Sequence, residues 1–499
     1  MKKMKKFNIA MIALVAGGFL LNSCSKDFLV VEPKGTALEE NYYKNANEAY
    51  NGLVAAYDPL GTECGVTYSN KIGPLNSASD DCYAGGATSS DVPAWQVWNN
   101  YTVDASAGIQ GDFWSRNFTG VYRANVILSK LDGVPMEEAL KARFRAEGKF
   151  LRAYYYFDLV RLFKNVPLFL TPVSPADIFN VLQAKPEDVW AQIEKDLNEA
   201  IPDLPPAVPE DENGRVTKLA ATALLGKVIL YQNVDSRMLD AANLFEQVNT
   251  SPNYELLPNF GDIFRPDQKF NKESIFEIIH TAKAISGWGS WPNFEGNVYT
   301  QMCGPRAYTG PTYKAGWGFN PITPELVAVM KNDPRYPFTI ANIDSLKKAG
   351  VCSYQAGYQN TGYFIQKFAP LAEFYNTYGA GDPVLNYPND VIEIRLADTY
   401  LMEAEAIVRG GGDATKAQYY LDKVRARVGL PSIPATLDNI YKERRLELAT
   451  EGHRWFDLVR TGQAGTALAS KGFTTGKNEI LPIPLAELTN TQLKQNPNY

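Results

Sequence analysis

Apolar residues recur at helical spacing along much of the chain. Leu38, Tyr42, Ala46, Ala49, Leu53, Ala56 and Tyr57 follow one another at steps of three, four and one, which predicts an amphipathic helix over 38–57. A longer helix is predicted over 137–164, with Glu137 and Glu138 at its start and Pro167 beyond its end. The same period runs through 187–200, 217–232, 238–249, 391–409, 413–428 and 437–459.

Two of these stretches resemble each other. LAATALLGKVILYQ followed by DAANLFEQV matches LADTYLMEAEAIVR followed by KAQYYLDKV, so that Ala221 aligns with Ala397, Leu225 with Leu401, Ala241 with Ala417, Phe245 with Leu421 and Val248 with Val424. Small residues let two helices approach and large ones fill the gap, as in tetratricopeptide-type hairpins. The helices over 137–164 and 187–200 are candidates for a further pair. The alternative is a chance likeness between two amphipathic hairpins.

Periodicity fails over 61–109 and 251–389, which are rich in Gly, Pro and aromatic residues and hold short β-like runs at 274–279 and 362–368. The pattern therefore predicts a mainly α fold: a tetratricopeptide-like helical hairpin scaffold (33–60, 110–250 and 390–499) with an inserted loop-rich lobe containing short β-strands (61–109 and 251–389). Long structured insertions of this kind usually carry function.

The N-terminus has its own pattern. A basic start (Lys2, Lys3, Lys5, Lys6) precedes an apolar run over 7–21, too short to span a bilayer comfortably. Leu21-Asn22-Ser23-Cys24 then looks like a bacterial lipoprotein signal, which makes 1–23 a signal peptide and Cys24 the lipidated residue. An ordinary secretory signal with an incidental cysteine is the alternative. Without the four leader lysines the chain has 45 basic and 55 acidic residues. It has no basic stripe interleaved with aromatics, which argues against a nucleic-acid partner. Cys64, Cys82, Cys303 and Cys352 allow three disulfide pairings, with a weak preference for Cys64–Cys82, and free thiols are an equal alternative.

Catalytic chemistry has little to work with. The chain has two histidines, His280 and His453, neither in a nucleophile motif, and no G-x-S-x-G, P-loop or H-E-x-x-H pattern. No cofactor is called for and no zinc cluster is suggested. Asp80-Asp81 is a carboxylate pair that either organises its turn or accepts bonds from ligand hydroxyls.

Aromatic residues are the outlier, with 28 Tyr, 24 Phe and 8 Trp. Residues 287–319 hold Trp288, Trp291 and Trp317 among only three charged residues, Glu295, Arg306 and Lys314. Tyr83 to Tyr101 adds Trp95 and Trp98 beside Asn99 and Asn100. Sugars have apolar C–H faces and polar rims, so rings on loops with Asp, Asn or Arg nearby suit a glycan. Each ring could equally be core.

Several segments resemble one family nearly from end to end: the SusD/RagB-type outer-membrane lipoproteins of Bacteroidetes. They are KDFLVVEPKGTALEENYYKNANEAYNGLVAAYDPL, RANVILSKL, RAEGKFLRAYYYFDLVRLFKNVPL, GWGFNPITPELVAVMKNDPRYPFTI, EIRLADTYLMEAEA, ERRLELATEGHRWFDLVRTG and LPIPLAELTNTQLKQNPNY. The resemblance implies a non-catalytic, surface-exposed lipoprotein of the outer membrane, anchored by lipid at Cys24. It implies that such a protein captures oligo- or polysaccharide and delivers it to a SusC-like TonB-dependent transporter contacted by the helical side. It implies rings in the loop after the first helix and in the loops before the GWGF segment, here Tyr83, Trp95, Trp98, Trp288, Trp291, Tyr308 and Trp317; Asp81, Asn99 and Arg306 are the polar candidates beside them. It makes Trp114 and Trp455 core, and Arg444, Glu447 and Glu451 partners in internal ion pairs. Peptide ligands also occur in the family. Competing readings are a helical-repeat scaffold that binds proteins and, further off, a lipid-anchored glycoside hydrolase.

Overall fold

The structure is a computed structural model that describes residues 42–61, 71–174, 177–282, 287–288, 295–375 and 381–499. The signal segment, Cys24, Cys64 and Trp291 lie outside the described residues. The chain divides into 1–44 and 45–499, and the second unit holds every element named below.

Helix α1 is Ala46–Gly61 and buries Ala49, Leu53, Ala56 and Leu60. It starts eight residues later than the apolar stripe predicts. Asn45 Oδ1 accepts the Glu48 amide at 3.0 Å, and Asn45 Nδ2 donates to Glu48 Oε1 at 2.9 Å. The first bond caps the helix by satisfying the Glu48 N–H, the second holds the Asn45 side chain in place, and together they fix the start at Ala46.

Helices α2 (Gln110–Lys130), α3 (Glu138–Phe163) and α4 (Pro186–Ala200) pack in sequence, α2 on α3 and α3 on α4. The predicted pairing of the 137–164 and 187–200 helices is thus present. A Cβ at Gly120 would lie 2.3 Å from the Tyr155 ring, so glycine permits the close crossing of α2 and α3. Arg152 grips Asp196 with two bonds of 2.7 and 2.8 Å, tying α3 to α4.

Helices α5 (Lys218–Tyr231) and α6 (Met238–Asn249) form one hairpin, and α7 (Leu396–Gly410) and α8 (Ala414–Arg427) form the other. These are the two stretches that resemble each other in sequence. They join through α6 on α7, and through a buried Lys227–Asp398 ion pair of 3.2 Å. The helix expected from 391 begins only at Leu396. Val391–Arg395 is strand β4, which pairs antiparallel with β1 (Ser274–Ile278) in the register Ile278↔Val391. Its β-branched, alternating residues favour the pleat once a partner strand is present. The other ladder joins β2 (Ile340–Asn342) to β3 (Tyr363–Ile365) in the lobe.

The stretch 437–459 is two helices, α9 (Leu437–Leu448) and α10 (Arg454–Arg460). Between them Thr450 and Gly452 take φ of 70° and 83°, which ends the helix and turns Glu451 inward. Glu451 meets Arg395 at 2.8 Å and Lys367 at 2.6 Å. Glu447 meets Arg335 at 2.8 Å and Arg395 at 2.6 Å, and Arg444 meets Asp398 at 2.7 Å. The internal ion pairs implied for Arg444, Glu447 and Glu451 are therefore formed. Burial pushes the Glu447 carboxyl up, but Arg427, Arg395 and Arg335 outweigh it and hold it well below the usual range. Removing one member would strand buried charge at a cost of about 3–5 kcal/mol.

Among the described residues no helix is long and apolar enough to cross a membrane. Among the described residues Cys82, Cys303 and Cys352 are free thiols, and the Cys64 half of the preferred Cys64–Cys82 pair lies outside them.

Candidate functional site

Three loops of the lobe are stitched together by backbone bonds. The Gly86 amide donates to the Gly318 carbonyl at 2.9 Å, and the Tyr358 amide to the Gly86 carbonyl at 2.9 Å. The Gly318 amide donates to the Gly304 carbonyl at 2.8 Å. A Cβ at Gly316 would lie 2.3 Å from Gly304 Cα, so two glycines let these strands of loop touch.

On this frame Trp317 is half-buried and Trp288 is 48% exposed. Their rings stack, with centroids 6.1 Å apart and planes at 26°. The Trp288 indole N–H donates to Asp382 Oδ2 at 2.8 Å. The Trp317 amide donates to the Gln301 carbonyl at 3.0 Å, and the Gln301 side chain donates to the Ala315 carbonyl at 2.9 Å. Beyond Asp382, Tyr375 packs on buried Tyr387 at 5.7 Å and carries Lys314 Nζ 5.0 Å from its ring centroid. Burial, then the Asp382 charge, raises the Tyr375 phenol above its ordinary value.

The other candidates fall elsewhere. Trp95 and Trp98 are fully buried. Trp95 packs edge-on to Phe319, and Trp98 edge-on to Phe113 and Trp455. They stand three residues apart on the short helix Pro93–Asn99, and its inner face takes both rings into the core. They are corrected from platform to core, alongside Trp114 and Trp455. Tyr308 is also core, in a cluster with Tyr313, Ile343, Tyr354 and Phe364. Asn99 is buried, with Oδ1 accepting from Lys471 Nζ at 3.0 Å and from the Ala84 amide at 3.2 Å. Asp81 is buried against Arg445 at 2.9 Å, and Arg454 takes Asp80 with two bonds. The carboxylate pair thus organises its turn, and Asp81 and Asn99 have no surface to offer a sugar. Tyr83 is half-buried with Lys471 Nζ 5.6 Å from its ring centroid. Arg306 is half-buried and donates to the Trp317 carbonyl at 3.0 Å.

Neither histidine sits in a catalytic array. His280 is buried, and burial, then Lys269, lowers it to about 4. His453 is lowered to about 4 by burial, then by Lys227.

Sequence reasoning missed Asp382 and Gln301, which hold the two rings. It also missed a concavity of about 490 Å³ on the scaffold, lined by Trp114, Phe118, Tyr122, Phe169, Ile178 and Phe179. Tyr122, Ile178 and Phe179 are each about half exposed there, and such apolar patches mark interaction sites.

The architecture is that of a helical-hairpin scaffold carrying an aromatic loop face. Residues 272–499 match the model of the SusD family, and residues 52–230 match a model described as starch-binding, associating with the outer membrane. This chain belongs to the SusD family. A solved structure of a laminarin-binding SusD-like protein is 49% identical, with 92% of this chain and 100% of that chain covered and a TM-score of 0.88. Surface glycan-binding protein A from Bacteroides thetaiotaomicron, solved with laminarihexaose, is 31% identical over 91% of this chain and 100% of that chain, with a TM-score of 0.84. A SusD-like protein of Formosa agariphila, P25, is 27% identical over 94% of this chain and 95% of its own length.

Proposed function

We propose that this protein is a non-catalytic glycan-binding lipoprotein of the outer-membrane surface. It captures a glucan of the laminarin class and delivers it to a SusC-like TonB-dependent transporter. The observation that carries the reading is the Trp288–Trp317 pair, a half-exposed stacked platform held on a loop frame by Asp382 and Arg306. Stacking on the rings takes the apolar face of a sugar. The two relatives named for laminarin and laminarihexaose support that choice of glucan. Cys24 carries the anchor, and the apolar concavity at Tyr122, Ile178 and Phe179 forms part of the transporter-facing surface.

Affinity electrophoresis on a polysaccharide panel tests the reading. Laminarin is expected to retard the protein, with its chain length unchanged after prolonged incubation. Shortening of the glucan would overturn the non-catalytic assignment. Loss of membrane association in Cys24→Ala tests the anchor.

A further inference from the structure

We infer that Asp382 is a positioning residue for glycan binding: it sets the angle of the Trp288 ring through the indole N–H. The inference rests on the proposed reading of Trp288 as a sugar platform. Asp382 lies 94 residues further along the chain and joins Trp288 by a 2.8 Å bond. The bond restrains the rotation of a half-exposed indole, and a ring already held at its bound angle loses less freedom on binding.

Asp382 is well placed to act as the tether. Its Oδ1 accepts the Val384 amide at 3.2 Å, capping the short helix Pro383–Leu385. Its carbonyl accepts the buried Asn386 side chain at 2.8 Å. That turn is wedged against the main chain, since a Cβ at Gly296 would lie 2.3 Å from the Leu385 carbonyl oxygen. Each carboxylate oxygen of Asp382 thus takes a bond from the protein, one to its own turn and one to Trp288. On the other side of the pair, Gln301 and Arg306 hold the main chain at Trp317 at 3.0 Å each. The two rings come from separate loops, and these supports set their 26° tilt.

A double-mutant cycle on the intact protein tests this, with laminarin as probe. Asp382→Ala and Trp288→Phe, which keeps a ring but loses the N–H, should each weaken binding by roughly tenfold at unchanged Tm. The double variant should be no weaker than the worse single one, because both remove the same bond. Asp382→Asn, which keeps one acceptor oxygen in place of two, should recover part of the affinity. Multiplying losses in the cycle, or wild-type binding by Asp382→Ala, would overturn the inference. A ligand-free readout separates it from the glycan reading. The stacked indoles give an exciton feature in circular dichroism, defined by the difference from Trp288→Phe, and Asp382→Ala should lose most of it. If wild type fails to bind laminarin, the functional reading falls while this spectrum still decides the positioning role. An unchanged spectrum in Asp382→Ala would reject it.

Discussion

Two aromatic segments of the loop-rich part of the chain look alike on paper and fold differently. In Tyr83–Tyr101 both tryptophans are buried, whereas in 287–319 Trp288 is half exposed and Trp317 half-buried. The difference lies in the local backbone. Trp95 and Trp98 stand on one face of a short helix whose Gln96 and Asn99 are also turned inward. Trp317 follows Gly316 and precedes Gly318, whose φ of 78° belongs to an irregular loop, and Trp288 reaches its partner from a separate stretch of chain. Rings at i and i+3 on a helix share a face and go to the core together. Rings on Gly-rich loops go where tertiary bonds aim them.

The sharpest way to break that contrast is Trp98→Ala. Emptying a fully buried indole site between Phe113 and Trp455 should cost about 3–5 kcal/mol of stability, read by chemical denaturation. A loss below 1 kcal/mol would show that the helix does not fix this ring in the core.

Next in size is a pH effect of the interior that the platform should not share. His280 has its folded-state value lowered to about 4 by burial, below the unfolded value of about 6.5. A lowered base binds its proton more readily in the unfolded chain, so stability is lost as pH falls from 6.5 toward 4. This one group should remove about 2 kcal/mol between pH 7 and pH 5. His280→Phe, which removes the titrating ring, should flatten the acid side of the denaturation profile. A slope identical to wild type would reject the assignment.

Trp288→Ala should act in the opposite sense to Trp98→Ala. It should cost about 2 kcal/mol of laminarin binding, a loss of roughly thirtyfold, while the denaturation midpoint stays put. Equal losses of stability in the two variants would erase the distinction between the segments.

These contrasts follow what the sequence could and could not carry. The helical hairpins were legible because α6, α7 and α8 keep an apolar face at 3.6-residue spacing, while α5, apolar all round, was legible through its likeness to α7. Helix limits were less so. The start at Ala46 depends on Asn45 and Glu48, and the break at Thr450–Gly452 depends on Glu451 reaching Arg395 and Lys367 across the fold. The candidate site was legible as a composition, many rings and few charges, but not as a geometry. Exposure of a tryptophan is decided by residues far away in sequence, and neither Asp382 nor Gln301 stands in any local pattern. Asp81 and Asn99 were misplaced for the same reason, since Arg445 and Lys471 come from the C-terminal end of the chain.

The smallest expected effect concerns Arg306, and it separates support from contact within 287–319. Its guanidinium donates to the Trp317 carbonyl, and its stem lies where a Cβ at Gly318 or Gly357 would come within 2.7 or 2.9 Å. The residue is thus clamped between two loops, and one of its donors is spent on the backbone that carries a platform ring. If that bond is its role, Arg306→Ala should weaken laminarin binding only about threefold to fivefold, or roughly 1 kcal/mol or less. Arg306→Lys should recover part of this by donating to the same carbonyl. If the guanidinium instead bonds glucan hydroxyls in a forked geometry, the loss should exceed tenfold and lysine should not restore it, because a point donor cannot copy the fork. Calorimetry on the two variants distinguishes a residue that holds Trp317 in place from one that touches the sugar.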